Sequence, residues 1–155
     1  MAHDGVARAL VRELKFRGTL AAADLMAAQI AANAPPGPGD ACVLVPVPLH
    51  PARLRSRGYD QARSLAQRLA VRWGAALAPV LERADRGAAR QVGAGRAGRR
   101  AAGRVEIRTR GRVPDVVTLV DDVHTTGATL DACARALRAA GACEVHALTY
   151  TRTLP

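Results

Sequence analysis

Twice along the chain, an apolar run without polar alternation gives way to a polar loop and then to a helical repeat. The second instance is the clearer. Val116, Val117, Thr118, Leu119 and Val120 form a β-branched run of the kind expected for a strand buried on both faces. The run ends at the adjacent carboxylates Asp121 and Asp122, and Thr125, Thr126, Gly127, Ala128 and Thr129 follow. Leu130, Cys133, Ala134 and Leu137 then share one face of a helix predicted over 129–140, with Gly141 as its C-terminal stop. In the first instance a strand from Cys42 to Val47 breaks at Pro48 and Pro51, and a loop carrying Arg53, Arg55, Arg57 and Gly58 is expected next. A helix then runs from about Asp60, a sound N-cap, to Trp73, with Ala62, Leu65, Ala66 and Leu69 as its core stripe.

The flanking segments complete the order. Residues 4–33 read as two Ala- and Leu-rich helices broken near Gly18, and the Pro-Pro-Gly-Pro-Gly run at 35–39 as a rigid linker into the first core strand. Further strands are predicted near 77–82 and in the tail, where His146 lies in Glu-Val-His-Ala-Leu-Thr-Tyr. The resulting sequence of elements predicts a three-layer α/β domain with its ligands at the carboxyl ends of parallel strands. A chain of 155 residues makes one such domain, 1–155, with a helical part over 1–34.

Charge changes the picture in one place. Of the formal net charge of +10, most comes from residues 83–112, which hold ten arginines against Asp85 and Glu106. Glycines at 87, 93, 95, 98, 103 and 111 and weak apolar periodicity predict a flexible basic segment there. Its chemistry is phosphate contact, either with a substrate or, as an alternative, with single-stranded DNA. With only four aromatic residues (Phe16, Tyr59, Trp73 and Tyr150), a base-stacking platform is not expected. No apolar run approaches the roughly 20 residues that span a bilayer, and the charged N-terminal pattern is not that of a signal peptide. Three cysteines without a pairing pattern fit a reducing compartment, so no membrane insertion and a cytoplasmic location are expected.

The stretch 116–130 carries the most specific chemistry. Amides opening the second helix have no partner within it and bear partial positive charge, which makes that terminus an anion site. Thr125, Thr126 and Thr129 add hydroxyl donors, and Gly127 lets the chain turn and approach closely. A phosphomonoester fits that loop. Asp121 and Asp122 would repel phosphate but suit vicinal hydroxyls about a ribose length away, or a cation. In the earlier loop, guanidinium groups match the oxygens of a pyrophosphate, which a planar fork binds bidentately.

The pattern 116–130 resembles the 5-phosphoribosyl-1-pyrophosphate (PRPP) signature of type I phosphoribosyltransferases, with Thr118 and His124 at positions that are usually aliphatic. The stretch PVPLHPARLRSRGYDQA resembles the hallmark of the ComF family of competence-associated, phosphoribosyltransferase-like proteins, departing at Asp60, where Asn is usual. Glu-Leu-Lys-Phe-Arg-Gly at 13–18, Gln91 with Arg99 or Arg100, and the tail 141–153 are similar to that family as well. The resemblance covers nearly the whole chain.

It implies a type I phosphoribosyltransferase-like three-layer α/β/α fold, with a mainly parallel central sheet and a flexible basic hood over 83–112. It also implies that Asp121 and Asp122 hold the ribose hydroxyls as the catalytic acids, and that Thr125, Thr126, Gly127, Ala128 and Thr129 wrap the 5′-phosphate. By the same reading His50, Arg53, Arg57 and Gly58 face the pyrophosphate, while Arg90, Gln91, Arg99 and Arg100 belong to the hood. Mg²⁺ would arrive with PRPP, near Asp121 and Asp122, without direct protein ligation. The implied activity is phosphoribosyl transfer from PRPP to a nitrogen acceptor in the uptake or processing of transforming DNA. The alternative is a non-catalytic adaptor for DNA-uptake or recombination proteins. Nucleobase salvage is disfavoured, because enzymes acting on 6-oxopurines usually carry an acid where this chain has Thr125.

Several patterns are set aside. The family's usual four-cysteine module would precede residue 1, and Cys42, Cys133 and Cys143 lack metal spacing, so they are expected to be core residues and no zinc is expected. Gly93, Gly95 and Gly98 match a dinucleotide fingerprint but follow no buried strand. His3 and His146 carry no signal, and His124, inside the loop, is open to two readings, a ligand contact or a side chain packed behind the loop. The role of Lys15, the only lysine, is left open.

Overall fold

The computed structural model describes residues 5–17, 19–34, 43–84 and 105–153. In chain order the elements are α1 (Gly5–Arg17), α2 (Leu20–Asn33), β1 (Val43–Pro46), α3 (Pro51–Arg57), α4 (Gln61–Trp73) and β2 (Ala76–Leu77). They continue with β3 (Leu81–Arg83), β4 (Ile107–Thr109), β5 (Val116–His124), α5 (Ala128–Ala139) and β6 (Glu144–Arg152).

Four strands form an all-parallel sheet in the order β2-β1-β5-β6. Leu44 and Val45 of β1 and Val117, Leu119 and Val120 of β5 are fully buried, as continuous apolar runs in the middle of a parallel sheet should be. One face is covered by α1, α2 and α4, whose Leu14, Met26, Leu65 and Leu69 pack with Leu44, Val120 and Tyr150. The other is covered by α5, whose Cys133 and Leu137 pack on Val45, Val117 and Leu119. This is the three-layer α/β/α arrangement expected from the sequence.

The sheet order also locates a crevice. The chain leaves β1 for β2 on one side and leaves β5 for β6 on the other, so the connections diverge between β1 and β5. At such a switch point the loops after the two strands splay apart and leave room for a ligand. The segments that follow β1 and β5 are the ones singled out for chemistry.

Four differences from the sequence reading have local causes. The expected loop after β1 is largely the helix α3, with Pro51 in its first turn, His50 as N-cap and Gly58 (φ +76°) closing it. The strand expected near 77–82 is two strands in different sheets, β2 and β3. Pro79 lies between them, and β3 pairs antiparallel with β4 instead. The second strand does not end at the acids: β5 continues to His124, because Asp121, Val123 and His124 pair with Thr149, Thr151 and Arg152 of β6. Cys143 is exposed rather than in the core, standing in the turn before β6, whereas Cys133 is fully buried.

The linker 35–39, Cys42, and Arg90, Gln91, Arg99 and Arg100 of the hood lie outside the described residues. Of the 83–112 segment, the described ends are β3 and β4, an antiparallel pair joined from Leu81↔Thr109 to Arg83↔Ile107. Among the described residues, no helix is long and apolar enough to cross a membrane.

Candidate functional site

Successive side chains of a strand leave it on opposite faces of the sheet, which gives the adjacent carboxylates different neighbours although they stay close enough to interact with each other. Asp121 follows Val117 and Leu119 toward α5, where its charge is felt by the Cys133 thiol. Asp122 follows Val120 toward α1 and is only 3% exposed. There Lys15 Nζ reaches Asp122 Oδ2 at 2.9 Å. That oxygen accepts no other hydrogen bond among the described residues.

Asp121 Oδ1 accepts the Asp122 amide at 2.8 Å. Burial first, and the neighbouring Asp122 carboxylate second, push Asp121 up to about 8. The two acids therefore differ in character: one is ion-paired, the other favours its proton. The consequence for stability has a definite sign. The unfolded chain releases this proton near pH ~4, whereas the folded chain keeps it until about pH 8. Stability of the unliganded protein is thus expected to fall as pH rises through that window. Urea denaturation at several pH values should show the decline in the wild type and a flatter profile in Asp121→Asn. Equal slopes for the two proteins would refute the assignment.

The loop that follows is open at the top of the sheet. Thr125 and Thr126 are exposed, and Thr126 Oγ1 accepts from Ala128 N at 3.4 Å. Gly127 (φ +75°) leads into α5 and offers no side-chain cap. This contrasts with α3 and α4, capped by the side chains of His50 and Asp60. The start of α5 thus offers Thr129 and its neighbours' amides to an outside acceptor. His124 packs behind the loop, its Nδ1 buried and without a hydrogen-bond partner among the described residues.

Across the crevice, His50 Nδ1 accepts from Ala52 N at 3.1 Å, so the imidazole is engaged in capping α3. Arg53 and Arg55 project from exposed positions on α3. Arg57 donates to Gln61 Oε1 at 3.2 Å, with its guanidinium 5.7 Å from the centre of the Phe16 ring. Asp60 accepts from Arg63 N at 3.1 Å and from Leu49 N at 3.4 Å, tying the segment after β1 to α4. Burial raises its affinity for a proton and these backbone donors oppose that.

The fold gives two further charged groups partners at the site. Lys15 is one. The other is Arg83 on β3, whose guanidinium is disfavoured by burial and then by the nearby Arg53. Two like charges brought together beside the crevice would be relieved by an anion. The sequence sets Lys15 in the stretch 13–18 and Arg83 at the start of the basic segment, but each meets its partner only through the fold. Among the described residues no cluster of three or more His, Cys, Asp or Glu could hold a metal ion.

No family model and no curated protein matches the sequence. Solved structures do. An allosteric regulatory enzyme of purine biosynthesis matches with 24% identity and a TM-score of 0.54, over 83% of this chain and 25% of that one. Glutamine phosphoribosylpyrophosphate (PRPP) amidotransferase from B. subtilis matches with 25% identity and the same TM-score of 0.54, over 83% of this chain and 26% of that one. The chain spans about a quarter of the length of each of these relatives. Together with the parallel sheet and its flanking helices, these matches identify the architecture as the type I phosphoribosyltransferase fold.

Proposed function

We propose that this protein binds Mg²⁺-complexed PRPP in the crevice between β1 and β5 and transfers its phosphoribosyl group to a nitrogen acceptor with release of pyrophosphate. The observation that carries the reading is the conjunction of a carboxylate pair near the end of β5 with a helix N-terminus whose cap position, Gly127, brings no side chain. The 5′-phosphate lies against Thr125, Thr126, Gly127, Ala128 and Thr129. Asp121 and Asp122 accept from ribose hydroxyls. Arg53, Arg57 and Gly58 lie toward the pyrophosphate, beside His50, and Arg83 joins them. Mg²⁺ supplies charge neutralisation on the pyrophosphate oxygens, and the chain supplies position and electrostatics as C1′ becomes cationic.

The wording of residues 45–61 supports a ComF-type protein, and through it a place in the uptake or processing of transforming DNA. The reaction there would be transfer to an acceptor other than a 6-oxopurine. The test is calorimetric titration of Mg²⁺–PRPP into the wild type and into Asp121→Asn/Asp122→Asn. Binding by the wild type that the double variant loses supports the site. A folded wild type that binds no PRPP rejects it and favours the adaptor reading.

A further inference from the structure

Three consecutive residues at the end of α1 are fastened to the site from different directions. The Leu14 carbonyl accepts the Tyr59 hydroxyl from the turn before α4. Lys15 forms the 2.9 Å ion pair with Asp122 on β5. The Phe16 ring, itself 73% exposed, lies beside the Arg57 guanidinium of α3. The sequence stretches 13–18, 57–61 and 116–130 are far apart in the chain and meet at this point.

The electrostatic demand of the site explains why a cation should stand there. A sugar carrying phosphate and pyrophosphate is strongly anionic, and two ionised carboxylates beside it would repel it. Asp121 is half-buried and favours its proton in the unliganded protein. Asp122 is 3% exposed, so its charge is poorly screened by water and Lys15 Nζ is its one close cation among the described residues. The Lys15 side chain remains 26% exposed. It also borders a cavity of about 1020 Å³ along α1, beside Arg8 and Arg12, so the ammonium sits at an accessible wall and not in the core.

We propose that Lys15 is a positioning residue of this site: its ammonium neutralises and aims the Asp122 carboxylate, which makes α1 part of the ligand-binding machinery. The inference rests on the reading of Asp122 as a ligand-binding acid. Without Lys15 the carboxylate is left buried with an uncompensated charge, turned from an acceptor of sugar hydroxyls into a source of repulsion toward the ligand phosphates. A guanidinium keeps the charge and reaches the same oxygen with altered geometry, so Lys15→Arg should recover part of what Lys15→Met loses.

The experiment is titration of Mg²⁺–PRPP into wild type, Lys15→Met and Lys15→Arg, at a temperature where denaturation curves show all three folded. Affinity should fall roughly 10- to 100-fold in Lys15→Met, by analogy with outer-shell partners of ligating groups, and recover at least partly in Lys15→Arg. A purely structural role would lower the melting temperature of Lys15→Met yet leave the affinity of the folded protein unchanged, and that result overturns the proposal. A second readout is the melting temperature of Lys15→Met/Asp122→Asn. It should exceed that of Lys15→Met, since removing the orphaned charge relieves its cost, and strictly additive losses would count against the pairing. If the wild type itself binds no PRPP, the reading of the site and this inference both fall. Wild-type binding retained in Lys15→Met removes Lys15 alone.

Discussion

Gly127→Val should destabilise the protein and abolish measurable binding of a phosphorylated ligand. Gly127 has φ +75°, and a Cβ placed on it would stand 3.0 Å from His124 Nε2. An L-residue pays about 1–2 kcal/mol for the left-handed region, and a β-branched one is a genuine outlier there. Pushing a packed imidazole aside adds a further ~1–3 kcal/mol. A total loss of about 2–5 kcal/mol is therefore expected by urea denaturation. The effect on binding should be larger than stability implies, because a displaced loop misdirects the first amides of α5. Gly74→Ala is the control: φ is +62° where this glycine closes α4, but a Cβ would meet nothing within 4 Å. A Gly127→Val protein with wild-type Mg²⁺–PRPP affinity would remove the loop from the site.

The second large effect belongs to the middle of the sheet. Leu119 of β5 is fully buried and packs in the cluster with Val45, Cys133 and Leu137, while the same strand carries Asp121 two residues on. Leu119→Ala should cost about 2–5 kcal/mol, from lost burial and from the cavity left behind. For a chain of this size each kcal/mol corresponds to roughly 2–4 °C in melting temperature, so calorimetry should register a substantial drop. Val71 lies on the outer face of α4 and is 83% exposed. Its replacement by alanine should stay within about 0.5 kcal/mol. Similar losses at both positions would contradict the layer assignment.

Which parts of this were legible beforehand follows from the range of the interactions involved. The buried strands, the amphipathic α4 with its Asp60 cap and the acidic pair before a Thr/Gly turn are written in contiguous residues, since periodicity and capping act over a few positions. The helix α3 was misread because arginines and flanking prolines look like a loop. Pro51 in the first turn, a His50 cap and a left-handed Gly58 make the same residues a helix. Cys143 was misread as core because its neighbours are apolar, although the turn before β6 turns it outward.

The candidate site divides along the same line. Local sequence determined that a buried strand carries two adjacent carboxylates and that a Thr/Gly turn leads from it into a helix, because periodicity and side-chain chemistry at adjacent positions need no distant partner. Only the tertiary structure decided that β1 and β5 are neighbours with their connections diverging, so that the two candidate loops share one crevice. It alone set their electrostatic surroundings, with Asp121 favouring its proton by burial and Asp122 held by Lys15. That ion pair joins residues separated by most of the chain. No local pattern encodes such a contact: the charge states of the site follow from burial and from which groups packing brings within a few ångströms.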